Sequence, residues 1–305
     1  MVYTNFWELD FYPFANDNRP ETFVPTHAAS LAVARLRYAL GTGMGASALF
    51  GEPGSGKSRA ARIIEREFAG ARWLTAYFPN PSGTPRDILA ALNADAAAAV
   101  PSGSFGMIEL QTFLAERARC NQPALLVVDD VQAARGTDFL ETLRTLLNIE
   151  NDGVKALSIL LVGQPGMERK LAAASGFDGQ LMMRAVLDPM TDEETRLYIL
   201  ARLKAAGSRQ GIFTKQSAEL VVKFSKGLPR QVNRLCELSL VIAYGLEEKR
   251  VTPEIVEMAA ADLDVLPAGE AAFFHWPHPA SPETAPPEEP ADEDDVLAAL
   301  TAEAT

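Results

Sequence analysis

Ala46-Ser47-Ala48-Leu49-Phe50-Gly51-Glu52-Pro53-Gly54-Ser55-Gly56-Lys57-Ser58 is the stretch whose reading decides the fold. Ala46 to Phe50 is short and largely apolar, as a strand buried on both faces should be. Gly51 to Ser58 fits G-x-x-x-x-G-K-[S/T], and the residues that follow, through about Phe68, read as a helix. In a strand–loop–helix setting this pattern is a phosphate cradle. Glycines at 51, 54 and 56 let the backbone wrap an anion, while Glu52, Pro53 and Ser55 complete a loop whose N–H groups and helix N-terminus face phosphate oxygens. Lys57 is suited to neutralise the β- and γ-phosphates of ATP, and Ser58 to ligate Mg²⁺.

Outward from the loop, short apolar strands alternate with helices. A helix is expected over His27 to Leu40, a strand near Arg72 to Phe78, and helices from Pro85 to about Ala98 and from about Met107 to Arg119. Ala124 to Asp129 reads as a buried strand, Asp138 to Leu147 as a helix, and Leu157 to Val162 as another buried strand. That alternation predicts an α/β fold, a P-loop NTPase core with a doubly wound parallel sheet covered on both faces. The third strand ends in Val128-Asp129-Asp130. A carboxylate at a strand tip beside the loop is what a magnesium ion needs, so Asp129 is the candidate metal partner. Asp130 is the candidate to polarise an attacking water.

After about Asp188 the texture changes to helices alone: Glu193 to Ala205, Lys215 to Phe224, Pro229 to Tyr244 and Pro253 to Asp262. The expected organisation is an irregular aromatic segment (1–25), a nucleotide-binding core (26–188), a small all-helical domain (189–264) and an acidic tail (265–305). The tail's Pro, Ala and Glu content predicts disorder, with Asp292 to Ala302 able to become helical on a partner.

The net charge of −12 misrepresents the folded part. Nine acids and no Lys or Arg lie in 265–305, which leaves −3 for residues 1–264. Acidity therefore says nothing about the partners of the body of the protein. Arg202, Lys204, Arg209, Lys215, Lys223, Lys226, Arg230 and Arg234 enclose one acid, Glu219. They suit either solvated helix faces or a surface for nucleic acid or an acidic partner, without the interleaved aromatics of single-strand stacking. Cys120 and Cys236 lack metal-ligand spacing and read as buried small hydrophobes in a reducing compartment. His275-Trp276-Pro277-His278 offers too few ligands for a structural metal. No apolar run is long enough to span a bilayer and the N-terminus does not resemble a signal peptide, so the expected location is cytoplasmic, without direct membrane insertion.

Together the motifs resemble an AAA+ ATPase of the ExeA type (general secretion pathway protein A), which is related to transposition-helper ATPases. The resemblance runs from about Phe6 to Leu263. It rests on Phe23-Val24-Pro25-Thr26-His27, the loop, Asn80-Pro81, Val128-Asp129-Asp130-Val131-Gln132 and Leu140-Glu141-Thr142-Leu143-Arg144. It continues through Asn148-Ile149-Glu150, Leu161-Val162-Gly163-Gln164-Pro165 and Gly227-Leu228-Pro229-Arg230-Gln231-Val232-Asn233-Arg234-Leu235-Cys236. It implies that Gln164 is sensor 1, an amide orienting the attacking water. It also implies that Arg230 is sensor 2, a lid arginine on the γ-phosphate. The family has Asp-Glu where this chain has Asp129-Asp130, and an arginine for the neighbouring subunit where this chain has Gln180. Arg184 is the nearest substitute. The resemblance further implies a homo-oligomer that couples ATP binding and hydrolysis to assembly or remodelling of a protein partner in a secretion or pilus-type envelope apparatus, with membrane association through that partner. The alternatives are a nucleotide-gated adaptor with little hydrolysis and a DNA-associated transposition helper.

Overall fold

The computed structural model describes residues 3–15, 24–43, 45–71, 73–79, 81, 84–94, 98, 106–134, 138–151, 154–167, 169, 171 and 177–265. Residues 266–305 of the predicted tail, with His275-Trp276-Pro277-His278, and Asn80 lie outside the described residues. The chain divides into two units: residues 27–188, and residues 1–26 together with 189 onward.

In the first unit the elements run α1 (His27–Gly41), β1 (Ala46–Gly51), α2 (Lys57–Gly70), β2 (Leu74–Phe78), α3 (Pro85–Leu92), α4 (Met107–Arg119), β3 (Ala124–Val128) and α5 (Asp138–Leu146). Then come β4 (Glu150–Asn151), β5 (Val154–Lys155), β6 (Leu157–Gly163) and β7 (Leu181–Leu187). Five strands form one sheet in the order β2-β3-β6-β1-β7, and every pairing is parallel. The sheet's two faces sort by alternation. Leu125, Val127, Leu160 and Val162 pack with Leu36, Leu40, Ile64 and Phe68 of α1 and α2. Leu126, Val128, Ile159 and Leu161 pack with Ile88, Leu89, Leu110 and Leu140 of α3, α4 and α5. Each such Leu, Ile or Val contributes about 1.5–3 kcal/mol through burial, so the continuous apolar runs demand cover on both faces.

Three readings of the sequence are corrected here. The helix from Pro85 to about Ala98 is broken at Asn93, which is extended (φ −159°, ψ 107°), and Ala94 and Ala98 beyond it are helical. The sequence reading contains neither the edge strand β7 nor the short antiparallel pair β4–β5. Arg184 interrupts the apolar run by which the other strands declare themselves, and it is exposed together with Met182 and Val186. Cys120 is exposed rather than buried, while Cys236 is buried, and both are free thiols.

The second unit contains α6 (Asp192–Ala205), α7 (Lys215–Ser225), α8 (Pro229–Gly245) and α9 (Pro253–Asp262). Thr191 and Glu194 form a reciprocal capping box at the start of α6, and Pro229 and Pro253 open α8 and α9 at positions that need no N–H. A single parallel bridge, Phe213 with Val251, interrupts the expected all-helical texture. The aromatic N-terminus belongs to this core: Tyr3, Trp7, Leu9 and Phe14 are buried with Ile199, Leu203, Leu235 and Leu240. Arg202 is not on a basic surface. It is 1% exposed, and it donates to the Pro13 carbonyl at 2.6 Å, the Ala15 carbonyl at 3.0 Å and the Tyr198 hydroxyl at 3.2 Å.

Candidate nucleotide-binding site

The register brings the carboxyl ends of three neighbouring strands together. Phe50 of β1 lies opposite Gly163 of β6, and Val128 of β3 opposite Leu161. The loop after β1, Asp129-Asp130 after β3 and Gln164 after β6 therefore share one edge of the sheet. This is where open α/β sheets place ligands.

The loop's own hydrogen bonds and glycines set its shape. Ser55 N–H closes a turn on the Glu52 carbonyl (3.1 Å), and Gly54 and Gly56 take φ of 91° and 95°, the left-handed region that glycine enters without penalty. Gly56 is the N-cap of α2, and no side chain caps that helix. A Cβ on Gly51 would lie 2.6 Å from Ser55 Oγ and 2.8 Å from the Leu187 carbonyl, so the loop fits only glycine there. Lys57 is 7% exposed and reaches back to the Glu52 carbonyl at 2.9 Å. Ser55 Oγ is buried with no protein hydrogen-bond partner. An orphaned buried hydroxyl, a buried ammonium and an uncapped helix N-terminus form a donor set that fits phosphate oxygens.

Asp129 is buried, and its carboxylate is held from two sides. The Tyr77 hydroxyl donates to Oδ2 at 2.5 Å and the Asp130 N–H to Oδ1 at 2.8 Å. Tyr77 also hydrogen-bonds with Ser58, so its phenol joins the two residues suited to magnesium. Burial, then the bond to Asp129, pushes its ionisation well above the ordinary tyrosine range, so it stays a donor at neutral pH. The Arg62 guanidinium lies 3.3 Å from the centroid of its ring. One hydroxyl and one carboxylate are an adequate protein share for magnesium, which keeps several waters and takes phosphate oxygens. Ser58 and Asp129 thus fit the ion. When bound it would neutralise phosphate charge.

Asp130 is exposed and left-handed (φ 51°, ψ 39°). Its Oδ1 accepts from Gln132 Nε2 at 2.8 Å, and Gln132 Oε1 accepts the Gln164 N–H at 3.1 Å. The Asp130 carboxylate and the Gln164 main chain are therefore linked, through a residue to which the sequence reading gives no role of its own. Tyr77 was missed as well. Its only signal is a hydroxyl on a strand flanking Asp129, and nothing local marks it.

Arg184 and Gln180 lie away from the loop of their own chain. Arg184 pairs with Ala48, three residues short of the Gly51–Leu187 level, or ~10 Å along the strand. Gln180 precedes β7 at the opposite end of the sheet, within 3.4 Å of Asn148. Arg230 is an exposed residue in the first turn of α8. It follows Gly227, whose Cβ would collide with the Met190 carbonyl and whose φ is 71°. That close approach fixes where α8 begins.

Residues 41–171 match the AAA domain family. Over 268 residues the chain is 29% identical to general secretion pathway protein A of Aeromonas hydrophila, covering 86% of this chain and 48% of that protein. It thus spans about half the length of this curated relative. Solved structures with the same fold include the Aeropyrum pernix ORC2 protein in ADPNP–ADP complexes (TM-score 0.62, 18% identity, 83% of this chain and 72% of that one). Cdc6p of Pyrobaculum aerophilum is similar (TM-score 0.64, 18% identity, 82% and 70%), as is the Thermotoga maritima RuvB Holliday junction branch migration motor (TM-score 0.52, 17% identity, 82% and 73%). The fold and the loop are those expected of the AAA domain that residues 41–171 match. Over 86% of its length the chain is similar to general secretion pathway protein A. No helix among the described residues is long and apolar enough to cross a membrane.

Proposed function

We propose that this chain binds Mg·ATP at the edge formed by the loop, Asp129-Asp130 and Gln164, hydrolyses it, and uses the cycle to assemble or remodel a protein partner. The observation that carries the reading is the loop: a buried Lys57, an orphaned Ser55 hydroxyl and an uncapped α2, on the same sheet edge as the two carboxylates that follow β3. In this reading Lys57 holds the β- and γ-phosphates, while Ser58 and Asp129 hold magnesium. Asp130 polarises a water with help from Gln164. The water oxygen bonds to the γ-phosphorus, the bond from that phosphorus to the β–γ bridging oxygen breaks, and the water's proton passes toward Asp130. A positioned base of this kind contributes roughly 10²- to 10⁴-fold. Arg230 reports the γ-phosphate to the helical unit. Arg184, distant from its own loop along β7, serves a neighbouring copy in a homo-oligomer. Kinship with a general secretion pathway protein supports an envelope secretion apparatus as the partner.

Steady-state Mg·ATP hydrolysis against protein concentration, with Lys57→Ala as the blank, tests this. Specific activity that rises with concentration is expected, because sites are completed between copies. A rate at the Lys57→Ala level at every concentration, with ATP binding shown separately, sinks the hydrolytic reading. It would leave a nucleotide-gated adaptor, for which the short and already engaged Asp130 is the supporting observation.

A further inference from the structure

Two carboxylates in sequence at a strand tip need not face one task, and here their partners diverge. The left-handed turn at Asp130, which costs an ordinary residue about 1–2 kcal/mol, aims the Asp130 N–H at Asp129 and swings its own side chain away. The turn is locked by the bond from Ala133 N–H to the Asp130 carbonyl (2.7 Å), which opens a 3-10 turn over Val131–Ala133. That turn delivers Gln132 to the end of β6. Its amide then uses both ends: Nε2 donates to Asp130 Oδ1 (2.8 Å), and Oε1 accepts from Gln164 N–H (3.1 Å). The approach is tight. A Cβ on Gly163 would sit 2.9 Å from Gln132 Oε1 and 2.5 Å from Met167 Sδ, so glycine at the end of β6 is what admits the amide.

We infer that Gln132 is a positioning residue: it braces the Asp130 carboxylate against the main chain at the end of β6, so that Asp130 meets a water in one fixed orientation. The inference rests on the hydrolytic reading above and goes beyond it by naming what holds the shorter aspartate in place. The chemistry selects an amide. A glutamate of the same shape offers acceptors at both ends and repels Asp130, and an alanine offers neither.

The test uses the full chain with Gln132→Ala, Gln132→Glu, Asp130→Ala and the double variant. In ¹⁵N spectra, the Gln132 side-chain NH₂ signals are assigned by their loss in Gln132→Ala. Asp130→Ala is expected to shift them, because it removes their acceptor, and this readout needs no turnover. In kinetics, Gln132→Ala and Gln132→Glu are each expected to lower kcat roughly 10- to 100-fold, the usual cost of losing a residue that orients a functional group. KM for ATP should change less than about threefold, since the phosphate contacts are untouched. Adding Gln132→Ala to Asp130→Ala should cost nothing further, because the amide acts through the carboxylate. Gln132 signals that stay in place in Asp130→Ala overturn the brace itself. Independent, multiplying effects on kcat overturn its catalytic role. A wild-type chain without turnover overturns the hydrolytic reading and the catalytic half of this inference, while the NH₂ shift still decides the brace.

Discussion

Replacing Arg202 by methionine keeps an apolar stem of similar length and removes a guanidinium that is 1% exposed. Two backbone carbonyls, Pro13 and Ala15, then lose donors at 2.6 and 3.0 Å, and the Tyr198 hydroxyl loses a third at 3.2 Å. A buried acceptor left without a partner costs about 1–3 kcal/mol. Two such losses give roughly 2–6, and removing a buried charge offsets part of that, leaving about 2–4 kcal/mol. A unit of this size moves roughly 4–8 °C per kcal/mol, so its midpoint should fall by roughly 10–25 °C. The assay is thermal unfolding followed by the fluorescence of Trp7 after Trp73→Phe and Trp276→Phe. Trp7 is 2% exposed and sits in the segment Arg202 secures. Trp7 emission should shift red early, with limited proteolysis cutting within the first 15 residues. Arg202→Lys, which retains charge but not the fork, should fall between. A Trp7 transition within about 1 °C of wild type would refute the reasoning, since the carbonyls would then have other donors.

Lys57→Ala should weaken ATP binding roughly 10- to 100-fold, the loss of one charge-assisted contact, and abolish turnover, as read by calorimetry and phosphate release. Gly51→Ala drives a methyl against Ser55 Oγ and the Leu187 carbonyl and should destabilise by about 1–3 kcal/mol while weakening ATP binding, checked by melting with and without nucleotide. Tyr77→Phe removes a donor from Asp129 and should raise the magnesium concentration for half-saturation of the nucleotide-bound protein roughly tenfold, by magnesium titration. Glu237 accepts from the Tyr3 hydroxyl at 2.7 Å, and burial raises its carboxyl above the ordinary value, against lowering by the Tyr3 bond and by Arg202. A raised acid binds its proton more tightly folded than unfolded, so stability falls as pH rises from the ordinary glutamate value through the raised one. Glu237→Gln should flatten that fall, with the difference from wild type vanishing below about pH 4 in melting curves.

The sheet was legible because Leu125 to Val128 and Ile159 to Val162 are apolar runs with no polar face, as strands covered on both sides require. The loop was legible because its physics is local: eight consecutive residues carry the anion site. β7 was not, because Arg184 interrupts its apolar run and its place is set by pairing with β1. The aromatic N-terminus announced that it packs on something. That this is the helical unit depends on Arg202, nearly two hundred residues away in the chain, which composition alone ranks with surface charges.

Tyr77 and Gln132 were illegible for one shared reason, and it bears on how such a site is built. Tyr77 reaches Asp129 because β2 and β3 pair with Tyr77 opposite Val127, and a slip of one residue would turn the phenol to the other face. Gln132 reaches Gln164 because β3 and β6 are neighbours, and β6 runs on to Gly163 past the Val128–Leu161 pair that ends β3. In both cases the acid is named by local sequence and its partner by strand order. Loop and carboxylates can therefore be read from short motifs, while the side chains that aim them have to be read from the sheet. Substitutions at 77 and 132 should accordingly affect metal use and turnover more than phosphate binding, which the loop accomplishes with its own residues.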